Sequence, residues 1–317
     1  MHQFSIITPT YNRANYLPRI YDRLCQQDDI DFEWIIVDDG STDNTKEVVS
    51  QFRETFEIKY IYQENAGQVS ALNTGTKNTN SYITNKHDDD DILCPHVLKQ
   101  VWEYFNFDSK KFKHDCACLA GLCQYETGDI IGNKFPDDYI VSDYIRYIKN
   151  NNIRGDKCEF YLTDVLRKYP FPIMGKEKNI APSIVHIRIA LSHKTLYMNK
   201  VFQEKQFLSD GLSTKNYWIM YPLGSELYCN EASVPPFSFK LQAKYSGEYI
   251  FYARLNKKKN IYKNARNKKI FLLGITVYIL FCVKLFLKRF ELLQNINKKI
   301  KKILNKNNQN HPKIIRE

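Results

Sequence analysis

The feature that most constrains this chain is its opening third, where short apolar runs alternate with helical spacings and three of the runs lead into a polar cluster. Residues 4–8 form one such run and stop at Pro9. Residues 34–37 stop at Asp38-Asp39-Gly40-Ser41, residues 58–62 follow, and residues 82–84 lead into Asp88-Asp89-Asp90-Asp91. Between them, residues 15–25, the stretch through Val48, Val49 and Phe52, and residues 68–76 carry helical spacing. Asn15 is placed to cap the first helix, and Ser41 or Asp43 the second. Short buried strands alternating with helices predict a parallel sheet with right-handed crossovers. In such sheets ligands sit beyond the carboxyl ends of the strands. The polar clusters at 9–13, 38–41 and 88–91 all fall at that edge.

Beyond Cys94 the signals become mixed. Residues 95–105 read as a helix, 117–125 as a strand, and Thr127-Gly128-Asp129 as a turn. Residues 182–191 read as a helix opened by proline, and strand-like pieces continue through Tyr252. The expected fold is α/β: a Rossmann-like nucleotide-binding domain with a mixed central sheet, followed by a helical basic tail. Its expected extent is 1–253, divided into a nucleotide-side half at 1–110 and an acceptor-side half at 111–253, with the tail at 254–317.

Charge supports that division. The net +11 of the 317 residues is unevenly placed: residues 254–317 hold 18 basic and 2 acidic residues, whereas residues 1–253 hold 28 basic and 33 acidic. A mildly acidic body with a basic appendage is not built like a nucleic-acid binder, and the last twenty-five residues lack interleaved aromatics, so no nucleic-acid partner is expected. Eight scattered cysteines without framework spacing predict a reducing compartment, with Cys116, Cys118 and Cys123 as core of a strand rather than zinc ligands. Met1 runs almost directly into the first strand, so no leader is expected.

The four consecutive aspartates carry the strongest chemical signal. Like charges this close resist ionising together, and in a folded cleft they call for a cation. Hard oxygen ligands suit Mg²⁺ or Mn²⁺ shared with substrate phosphates. A carboxylate in Asp38-Asp39 can accept the imide N–H of a uracil or a ribose hydroxyl, or can cap the following helix; both readings stay open. No Gly-x-Gly-x-x-Gly follows the first strand and no phosphate-binding Gly-x-x-x-x-Gly-Lys motif occurs, which sets aside a nicotinamide domain and a P-loop.

Taken together, Thr8-Pro9-Thr10-Tyr11-Asn12-Arg13, Val37-Asp38-Asp39-Gly40-Ser41-Thr42-Asp43, Asn65-Ala66-Gly67, Ala71-Leu72-Asn73-Thr74-Gly75 and Asp88-Asp89-Asp90-Asp91 resemble the inverting family 2 glycosyltransferases of GT-A fold. The match is close over about the first third of the chain. The resemblance implies that Pro9, Tyr11 and Asp39 hold the uracil of a UDP-sugar. It further implies that Asp88 and Asp89 lie on the nucleotide-sugar side, that Asp90 ligates Mn²⁺ or Mg²⁺ with Asp91 beside it, and that Arg13 and Gln68 contact the nucleotide. The acceptor would be a glycan or a lipid-linked glycan of a surface polysaccharide.

In the second half, Gly155-Asp156-Lys157, Tyr169-Pro170-Phe171-Pro172, Gly175-Lys176-Glu177-Lys178 and Leu208-Ser209-Asp210-Gly211-Leu212 are similar to a capsule- and cell-wall-type subgroup of that family. Inverting transfer needs a carboxylate to take the acceptor proton. The family often places it before a helix ending as Arg188-Ile189-Ala190 does, six residues ahead of the arginine, but here that position is Pro182. Glu177 is the nearest carboxylate and the expected base, with Asp156 and Asp210 as alternatives. Residues 270–283 form an uncharged stretch bounded by Lys268-Lys269 and Lys284, too short for the ~20 residues of a spanning helix and basic on both flanks. It reads as a helix lying on the inner face of the cell membrane. Two other classes compete with the leading reading: a metal-dependent nucleotidyltransferase, and a donor-binding scaffold that lost its base.

Overall fold

The computed structural model describes residues 1–283 apart from 28, 54, 108–114 and 206–216. Asp210 and the tail beyond Val283 lie outside the described residues. Four parallel strands open the chain: β1 (His2–Thr10), β2 (Phe32–Asp38), β3 (Glu57–Tyr62) and β4 (Ser81–Lys86). They pair in the order β3-β2-β1-β4, crossed by α1 (Leu17–Leu24), α2 (Thr45–Ser50) and α3 (Gln68–Asn78).

The second half extends the same sheet. Its elements are β5 (Asp91–Leu93), α4 (Val97–Phe107), β6 (Cys116–Tyr125), β7 (Tyr139–Ser142), β8 (Lys157–Leu162), α5 (Thr163–Lys168), α6 (Ser183–Ala190) and β9 (Lys194–Lys205). β8 joins β4 antiparallel, β6 joins β8 antiparallel, β9 runs parallel to β6, and β5 and β7 both pair with β9 antiparallel. The sheet is therefore mixed, as expected for this α/β class.

Alternation along the central strands sorts the core into two layers. Phe4, Ile6, Trp34 and Ile36 face α1 and α4, where Leu17, Ile20, Leu24 and Val101 meet them. Ile7, Ile35 and Val37 face the other way, onto Leu72 of α3 and Ile184 and Val185 of α6. Period-2 alternation with both faces buried is what a strand covered by helices on two sides requires. Cys116, Cys118 and Cys123 are buried in β6.

Two local expectations are corrected. Asn15 does not cap α1; it lies in a short 3-10 turn, Ala14–Tyr16, because Asp43 of the next loop accepts the Ala14 N–H (3.1 Å) as well as the Thr45 N–H (3.2 Å). The strand-like pieces after β9 are helices: α7 (Tyr217–Met220), α8 (Pro222–Glu231), α9 (Phe239–Leu255), α10 (Ile261–Asn264) and residues 268–283. The aromatic residues of α9, Tyr245, Tyr249 and Tyr252, suit a strand by propensity. Burial nearly all round the helix removes the amphipathic period, and packing decides the outcome. α9 runs to Leu255, so the composition change at residue 253 falls inside a helix.

α3 crosses β1 at contact distance: a Cβ on Gly75 would stand 2.3 Å from Ile7 Cγ2 and 3.3 Å from Val37 Cγ2. Gly75→Val is expected to cost ~1–3 kcal/mol by overpacking. A urea midpoint equal to that of the wild type would contradict this close approach.

Candidate active site

The carboxyl ends of β1, β2 and β4 gather the expected residues at one edge. Pro9 and Thr10 end β1, and Tyr11 follows with its ring about half exposed. Asn12 adopts a left-handed conformation (φ 53°), a turn that asparagine tolerates. Its N–H donates to Ser41 Oγ (2.9 Å) and its Oδ1 accepts the Thr42 N–H (2.7 Å), which ties the β1 loop to the β2 loop.

Asp38 and Asp39 hold two different loops. Asp38 is a turn residue: its carboxylate accepts the Ser41 N–H (2.7 Å) and the Tyr60 hydroxyl (2.6 Å). Burial and that carboxylate push the Tyr60 hydroxyl pKa up. Asp39 is buried and ties the loop before α3. Its Oδ1 accepts Gln63 Nε2 (2.7 Å) and the Ala66 N–H (2.9 Å), and its Oδ2 accepts the Gly67 N–H (2.7 Å). Each carboxylate oxygen takes about two donors, so Oδ2 keeps one acceptor position. Gly67 (φ 97°) is required here: a Cβ would collide with the Lys178 carbonyl oxygen at 1.8 Å, the point where Lys178 presses onto the loop before α3.

The four aspartates alternate. Asp89 and Asp91 are buried, while Asp88 and Asp90 are more open. Asp89 accepts the Thr10 hydroxyl (2.9 Å) and Arg13 Nη1 (2.8 Å), and the same guanidinium nitrogen reaches Asp90 (3.2 Å). Asp91 accepts Lys205 Nζ at 2.6 Å and Gln203 Nε2 at 2.5 Å, both from β9. Asp88 accepts Gln68 Nε2 (2.9 Å), from the first turn of α3. Carboxylate oxygens of Asp88, Asp90 and Asp91 all lie within 4.8 Å of one another.

Electrostatics follow from this crowding. Burial raises the Asp89 carboxyl to about 6, against the pull of Arg13. Burial and then the charge of Asp88 raise Asp90. Burial pushes Asp91 up while Lys205 opposes it. His87, just before them in sequence, is held down to about 4 by burial and stays neutral, with Nε2 2.9 Å from the Asp91 carbonyl oxygen.

Glu177 lies beside the start of α8. Its carboxylate accepts the Leu223 and Gly224 N–H groups (2.7 and 2.8 Å) and so caps the first turn of α8. Asp156 pairs with Lys205 (3.4 Å). Arg188 makes a two-point pair with Glu231 (3.1 and 2.8 Å), joining α6 to α8.

Sequence reasoning missed several partners. Lys205, Gln203 and Gln63 carry no motif; only the pairing of β9 with β5, and of β3 with β2, brings them to the site. A buried group behind the edge was also missed. Glu159 lies 3.2 Å from His186 Nε2, and Lys86 Nζ stands 3.5 Å from the same nitrogen. Burial pulls the Lys86 and His186 values down against the charge of Glu159.

Asp89 sets a pH dependence whose sign is fixed. Its folded value, about 6, lies above the ~3.9 of an unfolded aspartate, so the folded state binds more protons between them. Its stabilising contribution is complete below pH ~4 and is lost as pH rises through about 6. Without divalent ions, the urea midpoint of the wild type should therefore fall more steeply across that window than that of Asp89→Asn. Parallel slopes would contradict the assignment.

Comparison with known proteins agrees with this geometry. Residues 5–117 match the family model "Glycosyl transferase family 2". Chondroitin synthase of Pasteurella multocida is 35% identical over 219 residues, covering 67% of this chain and 21% of the synthase. The chain spans less than half the length of the first curated relatives it matches. Residues 1–349 of Staphylococcus aureus TarS, solved with UDP-GlcNAc, superpose with a TM-score of 0.60 at 17% identity over 86% of this chain and 79% of that one. The mannosyltransferase PcManGT of Pyrobaculum calidifontis, solved with GDP-Man and Mn²⁺, gives 0.55 at 16% identity over 87% of this chain and 86% of that one. These solved structures share the GT-A fold, and the chain is a member of glycosyl transferase family 2.

Proposed function

We propose that this protein transfers a sugar, with inversion, from a UDP-sugar to a glycan or lipid-linked acceptor in surface-polysaccharide synthesis, at the inner face of the cell membrane. One observation carries the reading. A buried aspartate with a spare acceptor position, Asp39, stands on the same sheet edge as an acidic cluster whose oxygens lie within 4.8 Å of one another. The first suits the imide N–H of uracil, with Tyr11 exposed beside it to stack on the base; the second suits the diphosphate.

The acidic set fits Mn²⁺ or Mg²⁺. Its donors are hard oxygens, and burial together with neighbouring charge raises Asp90, the condition a divalent ion relieves. Asp88 and Asp90 would hold the ion, with Asp91 behind them kept in place by Lys205. A bound ion supplies charge neutralisation to the departing diphosphate. The chain's own residues do the rest. Arg13 holds Asp89 and Asp90 in register, and Gln68 orients Asp88 from α3. Glu177 takes the acceptor proton: each of its oxygens keeps one acceptor position beyond the α8 N–H it binds, and the next residue, Lys178, adjoins Gly67. As the acceptor oxygen attacks the anomeric carbon, its proton passes to Glu177 and the bond to the diphosphate oxygen breaks.

Asp90→Ala should lower UDP release from UDP-sugars by ~10²-fold or more and abolish the extra thermal stabilisation that Mn²⁺ gives with UDP. Unchanged Mn²⁺ dependence would remove the metal assignment. Glu177→Gln separates proton transfer from capping. A base predicts a fall of ~10²-fold or more in kcat with the donor Kd unchanged. A cap alone predicts a lower unfolding midpoint, by ~1 kcal/mol, with kcat near normal. Wild-type protein that binds donor yet never turns over a competent acceptor would instead support the scaffold reading.

A further inference from the structure

The helix at residues 268–283 lies on α9 through one narrow strip. A Cβ on Gly274 would meet Ser246 Oγ at 2.4 Å, and one on Gly247 would meet Val277 Cγ1 at 2.7 Å. Further along, Phe281 stands edge-on to Phe251 with ring centroids 5.0 Å apart. Because 274 meets 246 and 281 meets 251, the two helices run in the same direction. The opposite side faces outward and is apolar. Leu272, Leu273, Ile275, Ile279, Leu280 and Val283 are between 38% and 70% exposed. The spacing 272, 275, 279, 283 is a single helical stripe about three turns long. A helix apolar on both sides calls for cover on both, and α9 covers only one.

Charge identifies the cover. Residues 249–283 contain eight basic residues and no acidic one. Lys268 and Lys269 are exposed where the helix begins, and Lys257, Lys258 and Lys259, just past α9, are exposed toward its other end. Basic groups at both ends favour a helix lying in the plane of an anionic surface over one standing across it. Consistently, no helix among the described residues is long and apolar enough to cross a membrane.

The helix also has a defined place relative to the cleft. Past the end of α9, Asn256 Nδ2 donates to the Pro222 carbonyl (3.0 Å) and to Glu226 (2.7 Å), at the start of α8. That is the turn capped by Glu177. α7, just before it, adds Ile219 and Met220, each about half exposed.

We infer that the outer face of residues 268–283 docks in the plane of an anionic lipid surface, with its far end and α7 turning the Glu177 side of the cleft toward the lipid. Docking stands on the apolar face and the charge. Delivery of a lipid-carried acceptor to Glu177 rests in addition on the glycosyl-transfer reading.

Flotation of the full chain with vesicles tests this directly. The wild type should float with phosphatidylcholine vesicles containing 30% phosphatidylglycerol, and float poorly with phosphatidylcholine alone or at 0.5 M salt (roughly a 4 Å screening length). The exposed-face variant Leu272→Glu/Ile279→Glu should keep the wild-type unfolding midpoint and lose on the order of tenfold or more in vesicle affinity. It should also still release UDP with a soluble acceptor, which separates docking from catalysis. A wild type that stays with the soluble fraction, or a variant that floats equally well, overturns the inference. So does a wild-type dimer that the variant converts to monomer without any lipid binding, since the face would then pair two copies.

Discussion

Four carboxylates in succession at one strand end cannot all stay charged in a partly dry cleft unless cations are brought to them, and the molecule brings two from different elements. Arg13, delivered by the loop after β1, sits between Asp89 and Asp90. Lys205, delivered by the last strand of the sheet, holds Asp91. Lys205 can do so only because β9 pairs with β5, which places it opposite Asp91 in register. The mixed second half of the sheet is thus tied to the chemistry of the first. Arg13 and Lys205 thus meet the two buried carboxylates, Asp89 and Asp91, with Arg13 also reaching Asp90, while Asp88 and Asp90 stay more open.

How much of this was legible follows from which interactions are local. The β1–β4 order, the helices between the strands and the binding edge come from short-range patterns: apolar runs, polar stops and turn residues. The sequence leaves the role of Asp38 open because turn formation and ligand binding ask for the same residue type; its partners Ser41 and Tyr60 become visible only in the fold. Lys205, Gln203 and Gln63 were invisible, since nothing in their neighbourhood signals an acid more than a hundred residues away or on a neighbouring strand. α9 was misread as strand because Tyr245, Tyr249 and Tyr252 are buried round the helix, which erases the period that sequence reading depends on.

Glu177 shows why a carboxylate near an expected position is not yet a role. Capping a helix fixes its orientation and uses one acceptor site on each oxygen; proton transfer needs another on the cleft side. The two demands are compatible in geometry. Capping also explains why an acid is found here even though Pro182 stands where the family pattern places one. The N–H groups of α8 would otherwise lack a partner, and Arg188 is committed to Glu231 at the other end of the same helix. α8 is therefore held at both ends by charged groups outside it.

A series of contacts leads from the sheet edge to the terminal helix. Asp39 fixes the loop at Gly67, Gly67 receives the Lys178 carbonyl without a Cβ between them, and Glu177 fixes α8, on which Asn256 anchors the end of α9. Each step is a direct contact between packed groups, so the loop before α3 and the apolar terminal helix are joined through one series of contacts. A surface that held the outer face of that helix would therefore set the orientation of the cleft as well. For an acceptor confined to two dimensions, such fixed presentation replaces a search through solution with one across a plane, which raises its effective concentration without any new contact to the sugar.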